Sequence, residues 1–176
     1  AGATASDSYV LTVTNTNDAP TISSTAVTAA TEDSAYTYTV VAADVDSGDT
    51  VTLTGTTVPS WLTFTASTGV LAGTPTNSEV GNHAVVITAT DAAGATVTDS
   101  FVIAVANTND APTVASAIAD VTNAEDTAYS LSVSGMCADV DAGDSLAYTI
   151  AGAPSTITIS GTTISGTPVN LSLIHI

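Results

Sequence analysis

The sequence predicts an all-β chain built of tandem seven-stranded sandwich repeats. Three observations carry this. Blocks of sequence recur at a nearly constant offset, short runs alternate apolar and polar residues, and Thr, Val, Ala and Ser dominate the composition.

The recurrence is the strongest of the three. Asn15-Thr16-Asn17-Asp18-Ala19-Pro20 returns unchanged at Asn107 to Pro112, 92 residues on. Thr31-Glu32-Asp33 has its counterpart in Ala124-Glu125-Asp126, and Ala43-Asp44-Val45-Asp46-Ser47-Gly48-Asp49 in Ala138-Asp139-Val140-Asp141-Ala142-Gly143-Asp144. Gly73-Thr74-Pro75 returns as Gly166-Thr167-Pro168, and the opening Gly2 to Asn15 stretch matches Gly94 to Asn107. The expected organisation follows. Residues 1–14 are the last strand of a preceding repeat and 15–20 a linker. Residues 20–106 are one complete repeat, 107–112 a second linker, 113–170 a truncated repeat, and 171–176 a tail that leaves the pattern. The first residues read as the middle of a domain, so a longer parent chain is expected.

Within the complete repeat, Tyr36, Tyr38 and Val40 alternate with Thr. The pattern continues through Val51 and Leu53, Leu62 and Phe64, Val85, Ile87 and Ala89, and Phe101, Ile103 and Val105. Period two over five to seven residues marks a strand with one buried face. Gly and Pro fall between these runs, at Ser47-Gly48, Val58-Pro59, Thr68-Gly69, Gly73-Thr74-Pro75 and Ala93-Gly94. About seven strands in roughly 90 residues describe an immunoglobulin-like sandwich.

Charge narrows the function. The chain has no Lys or Arg and 17 Asp plus Glu, for a net charge of −17. That excludes binding to a phosphate backbone, which needs cationic side chains, and argues against docking on an anionic membrane. At 44% hydrophobic residues the chain is too apolar for a disordered acidic tail. Cys137 is the single cysteine, so no internal disulfide forms; it aligns with Ala42 and reads as a small buried residue. No run reaches the roughly 18 apolar residues of a membrane span.

The acids are grouped at the linkers, at Glu-Asp, at Asp-x-Asp-x-Gly-Asp and at Thr90-Asp91. Two carboxylates so close repel unless a cation lies between them, and Ca²⁺ takes six to eight oxygen ligands. Turn capping alone would explain any single loop. Three acidic loops that recur together favour Ca²⁺. Asp49 and Asp144 are weaker candidates, since turn formation alone could explain them, and Asp7 and Asp99 read as solvated surface. His83 reads as a surface histidine, and Trp61, matched by Thr156, as a core or rim side chain.

The Asn-Asp-Ala-Pro linker, the Asp-x-Asp loop, Pro59-Ser60-Trp61-Leu62, Gly-Thr-Pro and Thr88-Ala89-Thr90-Asp91 carry a resemblance. The chain resembles the cadherin-like repeats, of dystroglycan type or immunoglobulin-like, of very large bacterial surface adhesins. The resemblance implies Ca²⁺ at the joint between successive repeats. It assigns Asn17, Asp18, Asp44, Asp46 and Asp91 to the first joint, and Glu32, Asp33, Asn109, Asp110, Asp139 and Asp141 to the second. It implies a calcium-binding stalk outside the cell, at the bacterial surface. Its partners would be neighbouring repeats, and a host or cell-surface glycan or protein.

Catalysis is the first rival, since paired carboxylates can serve as acid and base on a glycoside. These pairs recur in each repeat beside a linker, however, and no nucleophile, metalloprotease or phosphate-loop motif accompanies them, so no enzyme is expected. The second rival is a glycan- or protein-binding module, of a surface protein or of an extracellular polysaccharide-degrading enzyme.

Overall fold

The computed structural model describes residues 1–169. The chain forms two compact units, Ala1–Asn107 and a second from Thr108 onward.

In the first unit the strands are β1 (Thr21–Ile22), β2 (Ala29–Thr31), β3 (Tyr36–Thr39), β4 (Ala42–Ala43), β5 (Thr52–Thr57), β6 (Leu62–Thr65), β7 (Val70–Gly73), β8 (Gly81–Thr90) and β9 (Thr96–Ala106). One sheet runs β2-β9-β8-β5 and the facing one β3-β7-β6, with β1 paired to β4. The nine segments reduce to seven strands, because β3 and β4 are one run broken at Val40-Val41, and β1 and β2 are another. That first run changes sheets: Ile22 pairs antiparallel with Ala42, whereas Ala29 to Thr31 pair in parallel with Ala104 to Ala106. The predicted all-β sandwich is what forms.

Alternation fixes which residues meet between the sheets. Tyr36, Tyr38 and Val40 point inward from one side, and Val85, Ile87, Ile103 and Val105 from the other, closing over Leu62 and Leu71. Leu71, Val85, Ile87 and Ile103 are wholly buried. Each such side chain contributes about 1.5–3 kcal/mol relative to leaving it in water. The two tyrosines bring hydroxyls into this core, and both find acceptors. Tyr36 donates to the Val27 carbonyl at 2.8 Å, and Tyr38 to Asp99 at 3.0 Å, with Ser24 at 2.8 Å from the same oxygen. Burial, then the Tyr38 hydroxyl, then Asp99 push the Tyr36 phenol up to about 12.

The second unit repeats half of this plan. Its strands are β10 (Thr113–Val114), β11 (Tyr129–Ser132), β12 (Cys137–Ala138), β13 (Ile157–Ser160) and β14 (Thr163–Gly166). The order β11-β14-β13 copies β3-β7-β6, and β10 pairs with β12 as β1 does with β4. Register is copied too: Tyr129 faces Gly166 as Tyr36 faces Gly73. Val133, Ile157 and Ile164 form the buried core, at the places of Val40, Leu62 and Leu71. Residues 147–152, equivalent to β5, form no strand, because among the described residues nothing stands where β8 would bond them. The divergent tail at 171–176 lies outside the described residues.

Three sequence expectations are corrected. Residues 1–14, expected as a strand, are exposed and outside any strand. Their counterpart β9 is held by β8 on one side and β2 on the other, and residues 1–14 have no such neighbours among the described residues. Asp99 is not solvated surface: it lies half-buried and accepts the Tyr38 hydroxyl. Cys137 is half-exposed, on the two-residue strand β12.

Candidate metal centre

Two loops of the same design bring the acids together, one in each unit. In the first, the chain turns between β4 and β5 through Asp44-Val45-Asp46-Ser47-Gly48-Asp49. Gly48 sits at φ +90°, a conformation that side chains disfavour, and the Asp49 amide closes the turn on the Asp46 carbonyl at 3.1 Å. The Asp46 amide donates to Asp44 Oδ1 at 2.8 Å. Carboxylate oxygens of Asp44, Asp46 and Asp49 come within 4.8 Å of one another. Asp44 Oδ2 is buried and accepts no hydrogen bond.

The linker lies over this loop. The Asp18 amide donates to Asp46 Oδ2 at 2.8 Å. Asn17 Nδ2 donates to Asp91 Oδ2 at 2.9 Å and to the Asp18 carbonyl at 3.0 Å. Asp91, just past β8, is only 5% exposed, and its Oδ1 accepts the Ala95 amide at 2.7 Å. The structure therefore gathers Asn17, Asp18, Asp44, Asp46 and Asp91, the set assigned to the first joint. It adds Asp49, which the turn alone had seemed to explain. The signal was available, since the third acid recurs at the same place in both loops.

The second unit matches it. The Asp110 amide donates to Asp141 Oδ2 at 2.7 Å, and the Asp141 amide to Asp139 Oδ1 at 3.0 Å. Asn109 Nδ2 donates to the Asp110 carbonyl at 2.7 Å. Asp139, Asp141 and Asp144 bring their oxygens within 4.8 Å of one another.

Within the first unit, Glu32 and Asp33 lie at the end opposite the Asp44 loop. Glu32 is 1% exposed, and its amide bonds the Ala106 carbonyl at 3.0 Å, at the far end of β9 from Thr96 and the Asp44 loop. A strand of 11 residues separates the two poles by about 34 Å. Asp33 is exposed, with φ +57°, and its amide donates to Pro75; Asp126, at φ +58°, does the same to Pro168. A left-handed turn that aspartate tolerates thus accounts for the second acid of each Glu-Asp pair.

Amides compensate the carboxylate of Asp91. The Asn17 amide, followed by the amides of Ala95, Gly94 and Ala93, holds its carboxyl below the ordinary 3.8, against the opposing effect of burial. A depressed folded pKa gives stability that is present above 3.8 and lost as pH falls through the folded value. Asn17→Ala is expected to move the Asp91 pKa back toward 3.8 in an NMR titration. An unmoved pKa would show that the Asn17 bond contributes nothing.

Trp61 is a side chain at the rim of the core, as its sequence context predicts. It stands half-buried and edge-on to Tyr36 (5.7 Å, 76°) and to His83 (5.8 Å, 78°), packed against the core. His83 is accordingly half-buried, not a surface residue, with Nε2 at 2.6 Å from the Glu79 carbonyl.

Known proteins agree with this architecture. Residues 19–106 and 111–173 match the family described as "Putative Ig domain". The serine-rich adhesin for platelets of Staphylococcus aureus strain N315 is 35% identical over 136 residues, or 75% of this chain, and the chain spans only about 6% of that protein's length. The extracellular cadherin domains 1–4 of protocadherin gamma B7 superpose with a TM-score of 0.52 at 16% identity, over 85% of this chain and 41% of that one, a likeness of fold. An endo-fucoidan hydrolase of glycoside hydrolase family 107 is 28% identical over 86% of this chain and 25% of its own, with a TM-score of 0.44. With two matched segments in tandem, the chain belongs to the "Putative Ig domain" family.

Proposed function

We propose that this chain is a calcium-binding tandem-repeat module that acts as a spacer in the stalk of a bacterial surface adhesin. The observation that carries the calcium reading is the loop at Asp44, Asp46 and Asp49. Three carboxylates converge there with no Lys or Arg anywhere in the sequence, and Asp44 Oδ2 is buried without a hydrogen bond. A buried carboxylate oxygen costs free energy unless a donor or a cation meets it. The donor set is oxygen alone, which suits a hard cation such as Ca²⁺ and not zinc. Asp44, Asp46 and Asp49 would hold the ion in the first unit, with Asn17, Asp18 and Asp91 tying the linker to that loop. Asp139, Asp141 and Asp144 would do so in the second, beside Asn109 and Asp110. The ion supplies positive charge and coordination, and the residues fix the direction in which the linker enters each repeat.

The adhesin reading is supported by the staphylococcal relatives, of which this chain would be one small repeated part. It places the protein outside the cell, with neighbouring repeats as its constant partners and a glycan or protein ligand at some other part of the molecule. The recurring acids then serve as ion ligands and not as a catalytic pair.

Calorimetric titration of the whole chain with Ca²⁺ tests this. Binding is expected in the range of about 10⁻⁴–10⁻³ M typical of extracellular modules. Asp44→Asn with Asp46→Asn should remove one class of site, and Asp139→Asn with Asp141→Asn the other. Absence of binding at millimolar Ca²⁺, or binding that survives all four substitutions, would overturn the proposal.

A further inference from the structure

One edge of the first unit is only half covered. β3 lies at the edge of the sheet β3-β7-β6. The Val40 amide bonds the Gly69 carbonyl at 2.9 Å, and in that register Tyr36 and Tyr38 bond β7, whereas the amides and carbonyls of Thr37 and Thr39 point away from it. Val41, next in the alternation, shows what such groups take up. Its carbonyl accepts the Ser23 amide at 2.9 Å, and its amide donates to Ser24 Oγ at 3.0 Å. There the first run leaves the edge and crosses to β9, pairing over Ala29 to Thr31. Thr37 and Thr39, both exposed, have no strand beside them among the described residues.

The crossing opens a groove of about 310 Å³ beside this free edge. Its walls are Val27, Ala29 and Ala30 on one side and Ala35, Tyr36 and Thr37 on the other. The Tyr36 hydroxyl ties them together at the Val27 carbonyl. No charged side chain lines the groove, and the turn that joins its walls sets the exposed Asp33 at one end.

We propose that this edge and groove take an extended segment of another protein, alternating apolar and basic residues, added to β3 as an antiparallel strand in continuation of β1. The outward backbone groups of Thr37 and Thr39 call for the main chain of a strand. Alternation sends every second side chain of that strand between the sheets, where the small alanines leave room for aliphatic ones. The others face solvent near Asp33, in the field of a chain of net charge −17 that attracts cations and repels acids. A second copy is excluded by the same rule, because a chain with no Lys or Arg cannot supply the basic strand. Open edges are commonly blunted by Lys, Pro or a bulge. The β5 edge has its register shift between Gly55 and Thr57, whereas Tyr36–Thr39 carries none of the three.

The heptapeptide acetyl-Lys-Val-Lys-Leu-Lys-Val-Lys-amide, titrated into the isotope-labelled full chain at about 0.15 M NaCl, tests the proposal. Saturable amide shifts are expected below about 1 mM peptide, centred on β3 and β2. In an antiparallel pair the lysines stand opposite Thr37 and Thr39, and their amides face β3. Methylating those backbone nitrogens keeps every charge and removes the donors, so affinity should fall by about tenfold or more. Ala35→Phe, which fills the groove from an exposed position, should weaken binding of the unmodified peptide to a similar degree. Shifts centred on the Asp44 and Asp139 loops, no saturation by about 1 mM, or equal affinity for the methylated peptide would overturn it, leaving a diffuse attraction of lysines to carboxylates.

Discussion

Ca²⁺ at about 10–100 mM, on the order of 100 times its expected dissociation constant, should raise the melting temperature of this chain by about 10 °C or more over its value in EDTA at matched ionic strength. Nine acids lie between Pro20 and Ala111 with no Lys or Arg to offset them, so their mutual repulsion is greater in the compact folded state than in the expanded unfolded chain. A free ion at about 100 times its dissociation constant adds roughly 2.7 kcal/mol per site. For a domain of this size each kcal/mol is worth about 4–8 °C. Monovalent salt should recover only the screened part of the repulsion, because Na⁺ does not draw three carboxylates into one shell. Melting followed by circular dichroism in Ca²⁺, EDTA and added NaCl separates the two contributions. Identical curves in Ca²⁺ and EDTA would sink the calcium reading.

Gly73→Ala is expected to destabilise the first unit by about 3 kcal/mol. Gly73 pairs with Tyr36 on one side and Leu62 on the other, at the end of the central strand β7. A Cβ there would stand 2.1 Å from the Trp61 carbonyl oxygen, with the Leu62 Cα at 3.3 Å. Both are backbone, so no side chain can rotate away, and the β6–β7 pair must part locally. The cost then passes to Leu62 and Leu71, whose burial depends on that pairing. Gly166 repeats the arrangement, with the Thr156 carbonyl oxygen at 1.9 Å from its own absent Cβ, so the second unit should respond alike. Urea unfolding of each variant measures the loss. A change under 1 kcal/mol, within what ordinary surface substitutions produce, would mean that the backbone yields more easily than the geometry implies.

These examples mark how far the sequence could be read. Tyr36, Tyr38, Val40, Val85, Ile87, Ile103 and Val105 were legible as core because period two assigns a face without any knowledge of the partner strand. The acidic loops were legible because they recur. Parity also held the key to Asp99, which shares its face with Phe101 and Ile103; what it did not reveal was that a buried tyrosine hydroxyl needs an acceptor, which only packing supplies. Residues 1–14 carry the β9 pattern and still form no strand, since a pattern sets a preference whereas hydrogen bonds need a neighbour. Asp49 was underweighted because turn formation explains an aspartate locally, whereas its nearness to Asp44 is a fact of how the loop closes.

The parallel pairing of β2 with β9 has a mechanical consequence. Chain enters the repeat at Pro20 and leaves it at Ala106, and Ala29 to Thr31 run alongside Ala104 to Ala106 in the same direction. Tension applied to the two ends pulls these strands lengthwise past each other. Their cross-links are then loaded together, in shear, instead of one after another as in a hairpin peeled from its tip. Behind them stand the ten pairings of β8 with β9, from Gly81↔Val105 to Thr90↔Thr96. The repeat is thus braced against stretching along its own length and yields more readily to a sideways tug on the β5 edge.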